Sequence, residues 1–177
     1  MRAILINTGT ELLLGDVQDA HLAFIAREIL PLGLRIDERR TVPDSDVIRR
    51  TLTELFPHCE ILFVTGGLGP TTDDITREMV AESLGLELYQ DPQLLAWLQQ
   101  RLQVRGIKWT SGIARQADVL AGARVLPNEN GSAPGFYLKA KHQSAHSVAA
   151  RFCSARSAAR APAHVQEIRD ADFEIDY

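Results

Sequence analysis

The chain has 177 residues, 45% of them apolar and 24% charged, with a formal net charge of −4. These proportions are those of a soluble globular domain with a sizeable core, and the mild acidity argues against nucleic acid or an anionic membrane as partner. No run approaches membrane-spanning length, and the start MRAILINTG lacks the apolar core of a signal peptide. Cys59 and Cys153 form no C-x-x-C pair, so a cytoplasmic protein with two free thiols is expected.

Residues 3–7 read as a first strand, followed by the glycine-punctuated segment TGTELLLGD. A helix is expected from about Asp19, with Leu22, Ile25 and Ile29 on one face and Pro31 and Gly33 ending it. Residues 35–41 are weakly strand-like. PDSD at 43–46 marks a helix start with Ile48, Leu52 and Leu55 as its buried stripe. Ile61-Leu62-Phe63-Val64 is a short buried strand, and a bend rich in glycine and threonine follows it. Ile75, Met79, Val80 and Leu84 then share a helical face that stops at Gly85, and Thr71 with Asp74 matches a capping signature. Asp91-Pro92 opens another helix with Leu94, Leu95, Leu98 and Leu102 as its stripe. A polar loop, a short strand at 124–126, the small-residue loop NENGSAPG and the strand FYL complete the series. Strands alternating with helices predict a mainly parallel sheet covered on both faces.

Composition changes after Leu138. Residues 1–138 carry 18 acids against 13 bases, whereas residues 139–166 contain no acid and are rich in alanine, serine, arginine and histidine. The expectation is one domain over 1–138 and an atypical tail over 139–177. A frameshift in a GC-rich gene or a divergent terminus would each account for it. Val148, Phe152, Ala155 and Ala159 are spaced for a helix in that tail.

The chemistry is expected where the central strand hands over to a helix, since ligands of open α/β sheets bind at strand ends. Thr65, Gly66, Gly67, Gly69, Pro70, Thr71 and Thr72 form a loop whose backbone N–H groups suit a phosphate. The loop is neither a Walker A sequence nor G-x-G-x-x-G, and its bland reading is a tight packing turn. Asp73 and Asp74 follow at once. They are either caps or ligands of a divalent cation that would bridge to phosphate oxygens. Gly9 and Glu11 follow the first strand, and Asp44 follows the second, all at the same edge of the sheet. Glu11 alone would be solvated and Asp44 alone an N-cap. Asn130, Gly131, Ala133 and Pro134 supply a second small-residue loop. The five histidines show no metal-ligand spacing, and no Ser/His/Asp or Cys/His nucleophile set can be argued.

Taken together, GTELLLG, VTGGLGPTTDDITRE and RQADVLAGARVLPNENGSAPGF resemble the N-terminal domain of the CinA family, related to the molybdopterin-binding domains of the MogA and MoaB type. The resemblance covers Met1 to about Leu138 and implies a three-layer α/β/α sandwich. It implies that Asp44 of the "PD" turn and Asp74 of the D-x-T segment are the functional acids. It also implies metal-dependent cleavage (Mg, Mn or Co) of ADP-ribose or a similar dinucleotide, in a homo-oligomer. The alternatives are a molybdopterin-binding protein without hydrolysis and a catalytically impaired remnant. There are two departures from the family pattern. Gln18-Asp19-Ala20-His21 stands where members often have Asn-Thr-Asn, and the tail replaces the strand and Pro-Gly-rich loop that close the family's site.

Overall fold

Eight strands and six helices are arranged in a computed structural model that describes residues 1–126, 128, 131–142 and 145–153. The strands are β1 (Ala3–Thr8), β2 (Ile36–Val42), β3 (Ile61–Thr65), β4 (Leu88–Gln90), β5 (Asp118–Leu120), β6 (Arg124–Leu126), β7 (Gly135–His142) and β8 (Ala145–Cys153). The helices are α1 (Thr10–Leu14), α2 (His21–Ile29), α3 (Val47–Leu55), α4 (Thr76–Leu84), α5 (Pro92–Val104) and α6 (Ser111–Ala114).

Six strands form one sheet in the order β2-β1-β3-β8-β7-β6. The first four are mutually parallel, and β7 runs antiparallel to both β8 and β6. β1 and β3 are buried at every position, as expected for central strands covered on both faces. Their side chains alternate between two cores. Ala3, Leu5, Ile61 and Phe63 pack with Ile25 and Ile29 of α2 on one face. Ile4, Ile6, Leu62 and Val64 pack with α3, α4 and α5 on the other, through Ile48, Leu52, Val80 and Leu98. The architecture is therefore a three-layer α/β/α sandwich with a mainly parallel sheet.

Local signals explain most boundaries. The Asp91 carboxylate accepts hydrogen bonds from the N–H groups of Gln93 and Leu94 at 2.8 and 3.0 Å, capping α5 with Pro92 in its first turn. Gly85 ends α4 in a left-handed conformation. Trp97 and Trp109 are partly buried against the larger core.

Four expectations need correction. α4 begins at Thr76, because Asp74 Oδ2 accepts from the Thr71 N–H (2.9 Å) and hydroxyl (2.5 Å), closing a turn ahead of the helix. Glu11 sits in the first turn of α1 and not in a bare loop. The polar stretch after α5 contains α6, a 3₁₀ turn at Arg115–Ala117 and β5, which pairs with β4 through Leu88 and Leu120. Val148 and Phe152 lie in strand β8, not in a helix. β3 exposes a free row of peptide groups on the side away from β1, and pairing there satisfies them. β7 crosses residue 138 without a break, and the strand expected to be missing after APGF is present as β8. Ala155 and Ala159 lie outside the described residues.

Candidate functional site

The C-terminal ends of β1, β2 and β3 open onto one cavity of about 600 Å³. Thr8 at the end of β1, Gly9 after it and Glu11 of α1 contribute, and the loop after β2 contributes Asp44. The loop after β3 contributes residues from Gly66 to Thr71, then Asp73 and Asp74. Gln116, Asn128, Gly131, Ser132 and Ala133 complete the lining. The size falls within the range of small-molecule sites.

Close packing of backbone holds the glycine loop. Gly66 has φ +97°, and a Cβ there would lie 2.0 Å from the Thr8 carbonyl oxygen. Gly67 has φ +61°, and a Cβ would lie 2.1 Å from Thr76 Oγ1. Only glycine fits such positions. The Thr76 N–H donates to the Gly67 carbonyl at 3.1 Å, tying the loop to the start of α4. Beneath it, the fully buried Arg77 donates from Nη1 to the Leu68 carbonyl at 3.1 Å. Its Nε and Nη2 hydrogen-bond nothing among the described residues. Burial lowers its proton affinity, although Glu78, Asp118 and Asp74 oppose that. Arg77 holds the loop through Leu68 without itself lining the cavity.

The acids differ in environment. Asp44 Oδ2 accepts from the Thr10 N–H at 2.9 Å, while the Asp44 N–H donates to Thr10 Oγ1 at 3.3 Å, so the β1 and β2 loops hold each other. Burial raises the proton affinity of Asp44, and the carboxylates of Glu11 and Asp73 add to the effect. Asp73 is held below the usual carboxylate range by hydrogen bonding from Thr71 and from its own N–H. Two carboxylates on one cavity whose pKa values are pushed apart form the pattern expected of divided acid–base roles.

Not every expected residue reaches the cavity. Thr65 is buried below it, with Oγ1 accepting from Asn7 Nδ2 at 2.8 Å. Thr72 is exposed outside the lining. Pro134 lines a separate, smaller cavity with Trp97. Asn130 lies outside the described residues. Thr8, Leu68, Gln116, Asn128 and Ser132 line the cavity without having been singled out in the sequence. Asn128 organises its part of the lining by donating from Nδ2 to the Ala133 carbonyl at 2.7 Å and accepting the Gly131 N–H at 3.0 Å. Its Asn-x-x-Gly spacing within NENGSAPG was the available signal.

The departure at 18–21 has a structural outcome. Asp19 is half-buried with its side chain 7% exposed, accepts the His21 N–H at 2.8 Å and pairs with Arg39 at 3.1 Å, anchoring the start of α2 outside the cavity lining. Among the described residues, no three carboxylate, histidine or cysteine groups converge as a metal cluster. The donors therefore do not form a complete protein cage. One or two of Asp44, Asp73 and Asp74 could hold a hard cation only with ligand oxygens completing its shell, which is the usual manner of Mg²⁺. Cys59 is buried and free, its thiol pushed up to about 11 by desolvation, so it is no nucleophile. No helix among the described residues is long and apolar enough to cross a membrane.

The glycine loop, the junction acids and the cavity define an α/β domain with a polar cleft at the carboxyl ends of its parallel strands, the place where open α/β sheets carry their sites. Residues 4–157 match the family described as "Probable molybdopterin binding domain", and the chain belongs to that family. A CinA-like protein of Akkermansia muciniphila is 38% identical over 140 residues, 79% of this chain and 34% of the relative. A Symbiobacterium thermophilum protein whose name refers to competence-damage induction is 40% identical over 141 residues, 79% of this chain and 33% of the relative. The chain thus spans about a third of the length of these curated relatives. Among solved structures, CinA of Thermoplasma acidophilum, described as of unknown function, superposes with TM-score 0.75 at 24% identity. The match covers 96% of this chain and 94% of that one. The tungsten cofactor synthesizing protein MoaB of Pyrococcus furiosus matches with TM-score 0.55 at 16% identity, covering 96% and 90%. These two likenesses concern the fold.

Proposed function

We propose that this domain binds a phosphorylated small molecule of the ADP-ribose type and, with a divalent cation, hydrolyses its diphosphate. The observation that carries the reading is the meeting, in one cavity, of a glycine loop over a buried arginine with a carboxylate of raised proton affinity. The loop would hold the phosphates, with Arg77 stabilising their charge from below. Asp44 would accept a proton from the attacking water, and Asp73 or Asp74 would face the cation. Water oxygen bonds to one phosphorus, the bond from that phosphorus to the bridging oxygen breaks, and AMP and ribose 5-phosphate leave. The bound cation would supply charge neutralisation at the diphosphate. We place the protein in the cytoplasm and expect it to be a homo-oligomer.

The family description favours a second reading, in which the same cavity binds a molybdopterin-type pterin phosphate without hydrolysis. Incubating the protein with ADP-ribose and Mg²⁺, Mn²⁺ or Co²⁺ and following AMP by chromatography separates the two. AMP release that depends on both protein and metal supports hydrolysis. Calorimetric binding without any AMP leaves the binding protein, or a domain that has lost turnover.

A further inference from the structure

Gln116 is fully buried and lines the cavity, yet among the described residues neither its Nε2 nor its Oε1 has a hydrogen-bond partner. A side-chain amide offers two donors and an acceptor with two lone pairs, and buried amides are almost always satisfied. The residue is not loosely placed. α6 lies directly against the glycine loop, since a Cβ on Gly112 would meet the Pro70 carbonyl oxygen at 2.1 Å. Its neighbour Arg115 donates from Nη2 to the Asp74 carbonyl at 3.1 Å and to Glu78 Oε1 at 2.8 Å. The 3₁₀ turn carrying Gln116 is thereby fixed in register with Asp74 and the glycine loop.

We propose that Gln116 is a specificity residue, pairing its amide with a neighbouring donor and acceptor on the edge of the ligand's nitrogen heterocycle. The proposal rests on the phosphate-site reading above. A planar amide presents donor and acceptor side by side, the complement of the N6/N7 edge of adenine or the amide edge of a pterin. Carboxylates dominate the strand-end side of the cavity and would repel a second anion there. A neutral amide beside the glycine loop suits an uncharged ring adjoining the phosphate of the ligand. A donor–acceptor pair of this kind rejects a ligand lacking the matching groups far better than apolar contact does.

The test compares wild type with Gln116→Met, which keeps the length and removes both polar atoms. Calorimetric titrations would use AMP, neopterin monophosphate and ribose 5-phosphate, the last bearing phosphate without a ring. The expected result is at least about a tenfold loss of affinity for AMP or for the pterin, with ribose 5-phosphate unchanged. The ligand that suffers the loss identifies the ring. The unliganded variant should melt no lower than wild type, because it loses a buried amide that had no partner among the described residues. An equal loss for all three ligands, or no loss for any, overturns the proposal. So does a variant of lower melting temperature with unchanged affinities, which would make Gln116 a structural, water-bridged amide. If wild type binds none of the three, the phosphate-site reading fails and takes this one with it. If it binds all three and the variant does not discriminate, only this proposal falls.

Discussion

At Asp44 the desolvation that makes a stronger base also weakens the folded state near neutrality. Its folded pKa lies above the unfolded one, so the folded protein holds the proton more tightly. Its contribution to stability is therefore greatest below the unfolded pKa and declines as pH rises through the folded one. Asp44→Asn should raise the melting temperature at pH 7. The advantage should vanish on acidification through the range in which wild-type Asp44 takes up its proton, as scanning calorimetry across pH would show. The same variant should lose at least about a hundredfold in AMP release. Asp74→Asn differs, because an amide oxygen can still accept from Thr71 and keep the turn. Here we expect an unchanged melting curve with a loss of at least about a hundredfold in turnover. A mutant that turns over at the wild-type rate would remove Asp74 from the site. Asp44, Asp73, Asp74 and Glu11 were legible because each follows a strand end along the chain. Gln116 was not, since its place depends on α6 packing against Pro70, a contact between distant segments that no local pattern encodes.

Among elements, the bend between β3 and α4 joins two demands that substitutions can separate. At Gly67 any side chain meets a positive φ and the Thr76 hydroxyl, so Gly67→Ala should destabilise by about 1–3 kcal/mol, lowering the urea midpoint. At Gly69 φ is ordinary, and the nearest atoms to an added Cβ belong to the Asp74 carboxylate, at 2.5 Å. Gly69→Ala should therefore cost less stability than Gly67→Ala and lose more affinity for AMP per degree of melting temperature lost. The reverse order would mean that the loop is a packing turn and not a ligand cradle. Strands β1 and β3 and helix α5 were legible because burial and capping act within a few residues. α6 and β5 were not, being short and defined by partners far along the chain.

For the molecule as a whole, β8 joins the half of the sheet carrying the glycine loop to β7 and β6. Its register, Ile61 opposite Ala149 through Thr65 opposite Cys153, comes from a stretch whose composition looked foreign to the domain. Composition alone could not reveal the strand, because backbone pairing selects peptide groups before side chains. We expect a chain ending at residue 142 to lose cooperative unfolding, measurable by circular dichroism during thermal melting. A sharp wild-type-like transition would show β8 to be dispensable. Translating the gene in its other frames across codons 139–165 should yield an apolar strand followed by a Pro-Gly-rich loop if the tail arose by frameshift. Failure in both frames would leave a divergent terminus. The two outer strands have a different consequence. β2 is lined by Asp37, Glu38, Arg39 and Arg40, with Arg40 engaged by Glu38 and Glu54, and β6 is only three residues long. Charge on one margin and brevity on the other discourage the sheet from recruiting a neighbour's strand. Copies of this chain that associate would then meet across helices or loops, each keeping its own separate sheet, and growth into continuous ribbons would be blocked at both margins.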